Sequence, residues 1–226
     1  MTPHVLDRPI RAALTSRHAA ISEGGPRAFR YPRNISPFAA AIDDSAESLA
    51  DLAALIAPDG TAIIAQSDPH PVPPGTIQEV FVEGVQMLAV SVTPPARMMD
   101  FLELTDADAP DMLALATQTK PGPYLARTHD FGGYIGIRAD GRLVAMAGYR
   151  LRVPGFTEIS AVCTDPEFRG RGYASFLMQA LAARIKAEGD VPFLHTYASN
   201  THAIRLYEQL GFVLRSAMWV SVLRRA

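Results

Sequence analysis

The chain has 226 residues, 48% hydrophobic and 19% charged, an ordinary globular balance and enough length for one large domain or two small ones. Its formal net charge of −2 provides no basic field for nucleic acid or for an acidic membrane surface. One cysteine, Cys163, excludes an intramolecular disulfide and a cysteine-based zinc site.

The first stretch, "MTPHVLDRPIRAALTSRHAA", lacks the continuous apolar core of a signal peptide, and no run of 18 apolar residues occurs anywhere. A cytoplasmic location is expected. Apolar spacing then predicts a helix over residues 10–21, short strands at 28–31 and 38–42, and a helix over 46–56 whose Leu49, Leu52, Ala53 and Ile56 share one face. "TAIIAQ" and "TIQEVFVEGVQMLAV" read as strands. Twelve of the 18 prolines precede residue 96, and "DPHPVPPG" and "TPPAR" (93–97) are the sharpest breaks, the second a domain junction.

Beyond it, "MMDFLELT" predicts a strand and "DADAPDMLALATQT" a helix with acidic residues at its start. "GYIGIRADGRLVAMAGYRLRV" predicts a hairpin turning at Asp140-Gly141. "TEISAVCT" is a strand, 172–187 a helix, "PFLHTYA" a strand, 201–210 a helix, and a strand pair is expected from Phe212 onward. No repeat and no low-complexity tract is visible. The texture is α/β (α+β).

"EFRGRGYASFL" (167–177) joins a strand to a helix through two glycines and two arginines. Tyr173, Phe176, Leu177, Ala180, Leu181 and Ile185 then form one apolar stripe, so the helix starts near Gly170–Gly172. Its unpaired N–H groups and positive dipole end face the loop, and glycines let an anion approach them, an arrangement suited to phosphate. The stretch is neither a P-loop nor a dinucleotide fingerprint, since Ser175 occupies the position of the third glycine. Some 30 residues on, "NTHAIRLYEQLGF" opens with the capping-type Asn200 and places Tyr207 two helical turns later on the same side.

R-x-x-G-x-A after a strand, followed by N-x-x-A-x-x-L-Y-x-x-x-G-F, resembles the GNAT superfamily of acetyl-CoA-dependent N-acetyltransferases. The resemblance covers residues 98–223, with the motifs confined to 158–212. It implies a mixed, mostly antiparallel twisted sheet, split near its middle, with helices on both faces. It implies that Arg169, Gly170, Arg171, Gly172, Tyr173 and Ala174 cradle the coenzyme pyrophosphate. Val162, Cys163 and Thr164 would pair with the pantetheine arm, and Asn200 would touch it. Tyr207 would be the general acid at the sulfur, and Glu158 a general base. No metal is implied.

Each role has a plainer counterpart. Arg169 and Arg171 could be solvated loop charges, Asn200 only a helix cap, Tyr207 a core aromatic, and Glu158 a carboxylate paired with Arg150 or Arg152. Cys163 reads as a small buried hydrophobe. His195, on a strand beside the cleft, is an alternative base, while Met98, Met99, Met112 and Met146 read as core fillers. The expected domains are a GNAT-like unit over 97–226 and an N-terminal α/β region over 1–95. The latter would be a degenerate half of the same fold, shaping the acceptor pocket or a homodimer contact. The expected partner is an amine on a small molecule or peptide N-terminus, with no nucleic acid and no membrane. A coenzyme A-binding regulator without transferase activity, or a purely structural interaction protein, stays open.

Overall fold

A computed structural model describes residues 4–95 and 97–226, so the residue at the expected junction, 96, lies outside the described residues. In chain order the elements are α1 (Pro9–Leu14), β1 (Glu23–Gly24), β2 (Ala28–Arg30), β3 (Ala39–Ala41), α2 (Ala46–Leu55), β4 (Thr61–Gln66) and β5 (Thr76–Ala89). There follow β6 (Leu102–Glu103), α3 (Ala109–Thr119), β7 (Ile135–Ala139), β8 (Arg142–Val153), β9 (Phe156–Thr164), α4 (Tyr173–Ala187), β10 (Val191–Tyr197), α5 (Thr201–Gln209) and β11 (Phe212–Arg225).

Local chemistry explains most boundaries. The β7–β8 hairpin turns at Asp140 and Gly141, both with positive φ (51° and 78°), as a two-residue turn between twisted strands requires. Ser45 caps α2 by accepting from the Ser48 N–H. The first helix stops at Leu14 instead of running to residue 21. The Thr15 and Ser16 hydroxyls bond back to the carbonyls of Arg11 and Ala12, and only a 3-10 turn at Ala19–Ile21 follows. The strand expected over 98–105 shrinks to Leu102–Glu103, the two residues that meet β7. The strand pair expected after Phe212 is instead one long strand, because its partners come from β4 and β5 upstream.

The main sheet has eight strands in the order β4-β11-β5-β10-β9-β8-β7-β6, and among the described residues only the β9–β10 neighbours run parallel. β1, β2 and β3 form a separate small sheet. Strands from both sides of residue 96 therefore build one sheet, with β5 hydrogen-bonded between β10 and β11. Helices cover both faces, as expected. On β9, Val162 points into the cluster that holds α4, while Cys163 points into the cluster that holds α3. On β10, Leu194 faces the α4 cluster and Phe193 the cluster around α1. Phe176, Leu177, Leu181 and Ile185 of α4 are almost wholly buried, worth about 1.5–3 kcal/mol each. Among the described residues no helix is long and apolar enough to cross a membrane.

Candidate active site

β9 and β10 pair only over Phe156–Glu158 and Val191–Phe193. Beyond that point they part, and among the described residues the β10-facing edge of β9 from Ile159 to Thr164 has no strand partner. On its other edge β9 carries a bulge. Three steps from Ser160 to Cys163 face two from Gly148 to Met146, and Ala161 takes up the extra residue at φ 53°. A left-handed alanine costs about 1–2 kcal/mol, so surrounding structure must hold it there. A cavity of about 60 Å³ opens where the strands part. Arg150, Ser160, Val162, Met178, His195 and Tyr207 line it, together with Pro121, Ile159, Ala161 and Leu194. A larger hollow of about 260 Å³ lies near Arg30 and Arg33, but both arginines are already paired, with Glu23 and Asp59.

On the α4 side of the gap, the turn from Arg169 to Ala174 presents free backbone. Gly170 and Gly172 have φ of 75° and 80°, and Gly172 caps α4 without any side-chain acceptor. Among the described residues no group accepts from the amides of Gly170 to Ser175. Arg169 and Arg171 are exposed; the Arg171 guanidinium stands 4.6 Å over the Phe168 ring. The six unpaired amides and the dipole of α4 thus make this turn a donor-rich segment suited to an anion. Asn200 caps α5, its Oδ1 accepting from the Ala203 N–H at 3.3 Å. Tyr207, on the same helix, lines the cavity, and its hydroxyl makes no hydrogen bond among the described residues. Burial raises its pKa above the ordinary tyrosine value, so it stays protonated.

Cys163 and Thr164 continue β9 past the cavity. The Cys163 thiol is buried against α3, and burial pushes its pKa up to about 11, which keeps it inert at neutral pH. The Thr164 hydroxyl is buried without a partner.

Glu158 is wholly buried on the opposite side. One oxygen accepts from Arg150 Nε (2.9 Å) and the Leu151 N–H (3.2 Å); the other accepts from Arg150 Nη2 (2.5 Å) and His195 Nδ1 (2.6 Å). Burial alone would raise its pKa, yet Arg150 and then His195 outweigh burial and hold it at about 2. Four donors fill the four lone-pair positions, so none is left for a substrate amine.

His195 is tied on its far side as well. Arg215 Nη1 donates to Gln86 Oε1 at 2.8 Å, which turns the Gln86 amide nitrogen toward the Leu6 carbonyl (3.0 Å) and His195 Nε2 (2.9 Å). Arginine can only donate, so Gln86 must present N–H to His195. The ring therefore carries its proton on Nδ1 and gives it to Glu158. Arg215 is in turn paired with Asp7. A polar chain runs from the N-terminal segment through the sheet to the cavity. Gln86 escaped the sequence reading; its one signal was a lone amide inside the apolar run "GVQMLAV". Of the two arginines considered for Glu158, the partner is Arg150, while Arg152 pairs with Glu188. Elsewhere, Asp106, His129 and Asp130 bring their ligand-type atoms within 4.8 Å, but Arg127 already bridges the two carboxylates.

The chain and its fold have counterparts among known proteins. Residues 134–220 match the family model for FR47-like proteins. The chain is 38% identical to an acetyltransferase assigned to the GNAT family from Novosphingobium aromaticivorans. Its crystal structure superposes with a TM-score of 0.92, covering 99% of this chain and all of that one. Over 116 residues it is 30% identical to the ribosomal protein bS18-alanine N-acetyltransferase of Salmonella typhimurium, covering 48% of this chain and 77% of that one. Over 91 residues it is 34% identical to the mycothiol acetyltransferase of Acidimicrobium ferrooxidans, covering 38% of this chain. It spans 29% of that relative's length.

Proposed function

The chain belongs to the GNAT family of acetyltransferases, and we propose that it transfers the acetyl group of acetyl-CoA to an amine of a small molecule or a peptide N-terminus by direct attack. The observation that carries this is the parting of β9 and β10 beyond Phe193 and Glu158, with Val162 and Tyr207 lining the cavity inside it. A split strand pair offers free backbone in the middle of a sheet, where a thioester arm can lie as an extra strand.

In this scheme the amides of Gly170 to Ser175 and the N-terminal end of α4 hold the coenzyme pyrophosphate, with Arg169 and Arg171 adding exposed charge. The unpaired edge of β9 at Val162, Cys163 and Thr164 receives the pantetheine arm. Backbone N–H groups there stabilise the charge that gathers on the acetyl oxygen. Asn200 keeps its cap and offers Nδ2 to the same arm. Tyr207 donates its proton to the departing sulfur. The departing thiolate, whose thiol has a pKa of roughly 8–9, can take a proton from a phenol of about 10 at little thermodynamic cost; burial, which raises Tyr207, makes the transfer somewhat harder.

We assign Glu158 a role other than general base: it holds Arg150 and His195 in place across the gap. A carboxyl held at about 2 has little affinity for an amine proton. The acceptor amine then enters as the neutral species from the side of Arg150, where Phe38 and Leu6 of the N-terminal region also stand. That placement favours a part for residues 1–95 in shaping the acceptor pocket, with 97–226 carrying the coenzyme motifs. Nothing in the scheme calls on a metal, and one buried free cysteine suits a reducing compartment.

The test is thiol release from acetyl-CoA across a panel of small amines, amino acids and peptides, with products identified by mass. Release that requires an amine and yields its N-acetyl derivative is expected. Thermal stabilisation by coenzyme A with no turnover on any amine would point instead to a coenzyme-binding regulator.

A further inference from the structure

Arg150 spends only part of its guanidinium on Glu158. Nε and Nη2 face that carboxylate, and stacking over the Phe38 ring at 5.1 Å helps fix the plane. The other terminal nitrogen, Nη1, donates to no group among the described residues, and Arg150 is one of the residues that line the cavity. The remaining polar side chains of that lining are Ser160, Tyr207 and His195, and the acceptor nitrogen of His195 is taken by Gln86. Among the described residues no carboxylate lines the cavity. It therefore offers charged and neutral donors against apolar walls. An ammonium group would meet a cation and find no anion to pair with. A carboxylate would find a charge-assisted, planar donor already oriented by its neighbours.

We propose that Arg150 Nη1 forms a carboxylate subsite, and that the acceptor is a small amine carrying a carboxylate, of the amino-acid class. The subsite rests on the transferase reading above for the identity of the occupant, and on the geometry alone for its chemistry. The pairing is one of hydrogen bonds more than of net charge, since Glu158 already balances Arg150. Its discrimination therefore falls on shape: carboxylate oxygen against the amide of the same size, which must turn an N–H₂ group elsewhere.

The experiment is calorimetry on the full-length protein saturated with coenzyme A. The probes are N-acetyl amino acids, each paired with its carboxamide, and Arg150→Lys is run in parallel. Lysine keeps a cation beside Glu158 while removing the planar fork, so it is gentler on folding than a neutral residue. At least one acid should bind about tenfold or more tightly than its amide, and Arg150→Lys should remove most of that difference. Equal affinities in every pair, binding by no acid, or a preference that survives in Arg150→Lys would overturn the subsite. If the lysine variant does not fold, the wild-type comparison alone decides. Thiol release from acetyl-CoA judges the other half separately. Transfer to amines with no acid preference removes the subsite and leaves the transferase. Acid preference with no transfer supports the subsite and removes the transferase.

Discussion

Glu158 is charged and wholly buried, and four donors surround its two oxygens. Removing one partner of such a pair leaves the other as an uncompensated buried charge, which typically costs about 3–5 kcal/mol. Glu158→Gln should therefore lose stability of that order in denaturant unfolding at pH 7. The pH dependence has a definite sign. The folded carboxyl sits at about 2, below its ordinary 4.5, so its contribution is complete above 4.5 and is lost as the pH falls toward 2. The stability gap between wild type and variant should narrow from pH 5 to pH 3. A gap of the same size at both would contradict the ion-pair role. The sequence shows a glutamate eleven residues before Arg169, in the place of a base. Its surroundings come from Arg150 and His195, on strands that only the fold brings beside it.

At the scale of elements, the turn into α4 was legible because its determinants are local: glycines, then apolar residues at spacings of three and four. Gly172 has φ 80°, and a β-carbon there would meet only Met99 Cε at 3.6 Å, so space is not what demands glycine. Backbone conformation is. Valine cannot hold that φ without strain, and relaxing it turns the amides away from a common point. Gly172→Val should raise the KM for acetyl-CoA at least about tenfold, roughly 1.4 kcal/mol, with the fold intact by circular dichroism. Unchanged coenzyme affinity in a folded variant would remove the anion site from this turn. The Asp140-Gly141 hairpin was legible for the same local reason. The bulge at Ala161 was not, since alanine carries no signal for positive φ and the extra residue exists only relative to β8. The strand read over 98–105 failed in the opposite way, its apolar residues outnumbering the ladder partners that β7 supplies.

Across the whole molecule, the sheet that holds the site is assembled from distant parts of the chain. β5 pairs with β10 and β11, more than a hundred residues away, through side chains that alone read as an ordinary strand. Pairing at that range leaves no mark in a single sequence, so the prolines around residue 95 look like a border although one sheet spans them. The same assembly lets Leu6, Gln86 and Arg215 fix His195, and brings Phe38 onto Arg150. What was legible was the pair of motifs on α4 and α5. What was not was the opposite wall of the gap, built from those long-range contacts. The two walls meet at the cavity, where, among the described residues of the motif side, Tyr207 brings a hydroxyl to the lining. Phenylalanine keeps the ring and its packing near Phe212 while removing the hydroxyl. The decisive measurement is the steady-state rate of Tyr207→Phe with acetyl-CoA and an active amine. A fall in kcat of roughly a hundredfold with coenzyme affinity nearly unchanged is expected for loss of a general acid. A kcat within about threefold of wild type across the pH range, with the loss appearing only as lower thermal stability, would make Tyr207 a packing residue and contradict acetyl transfer by this route.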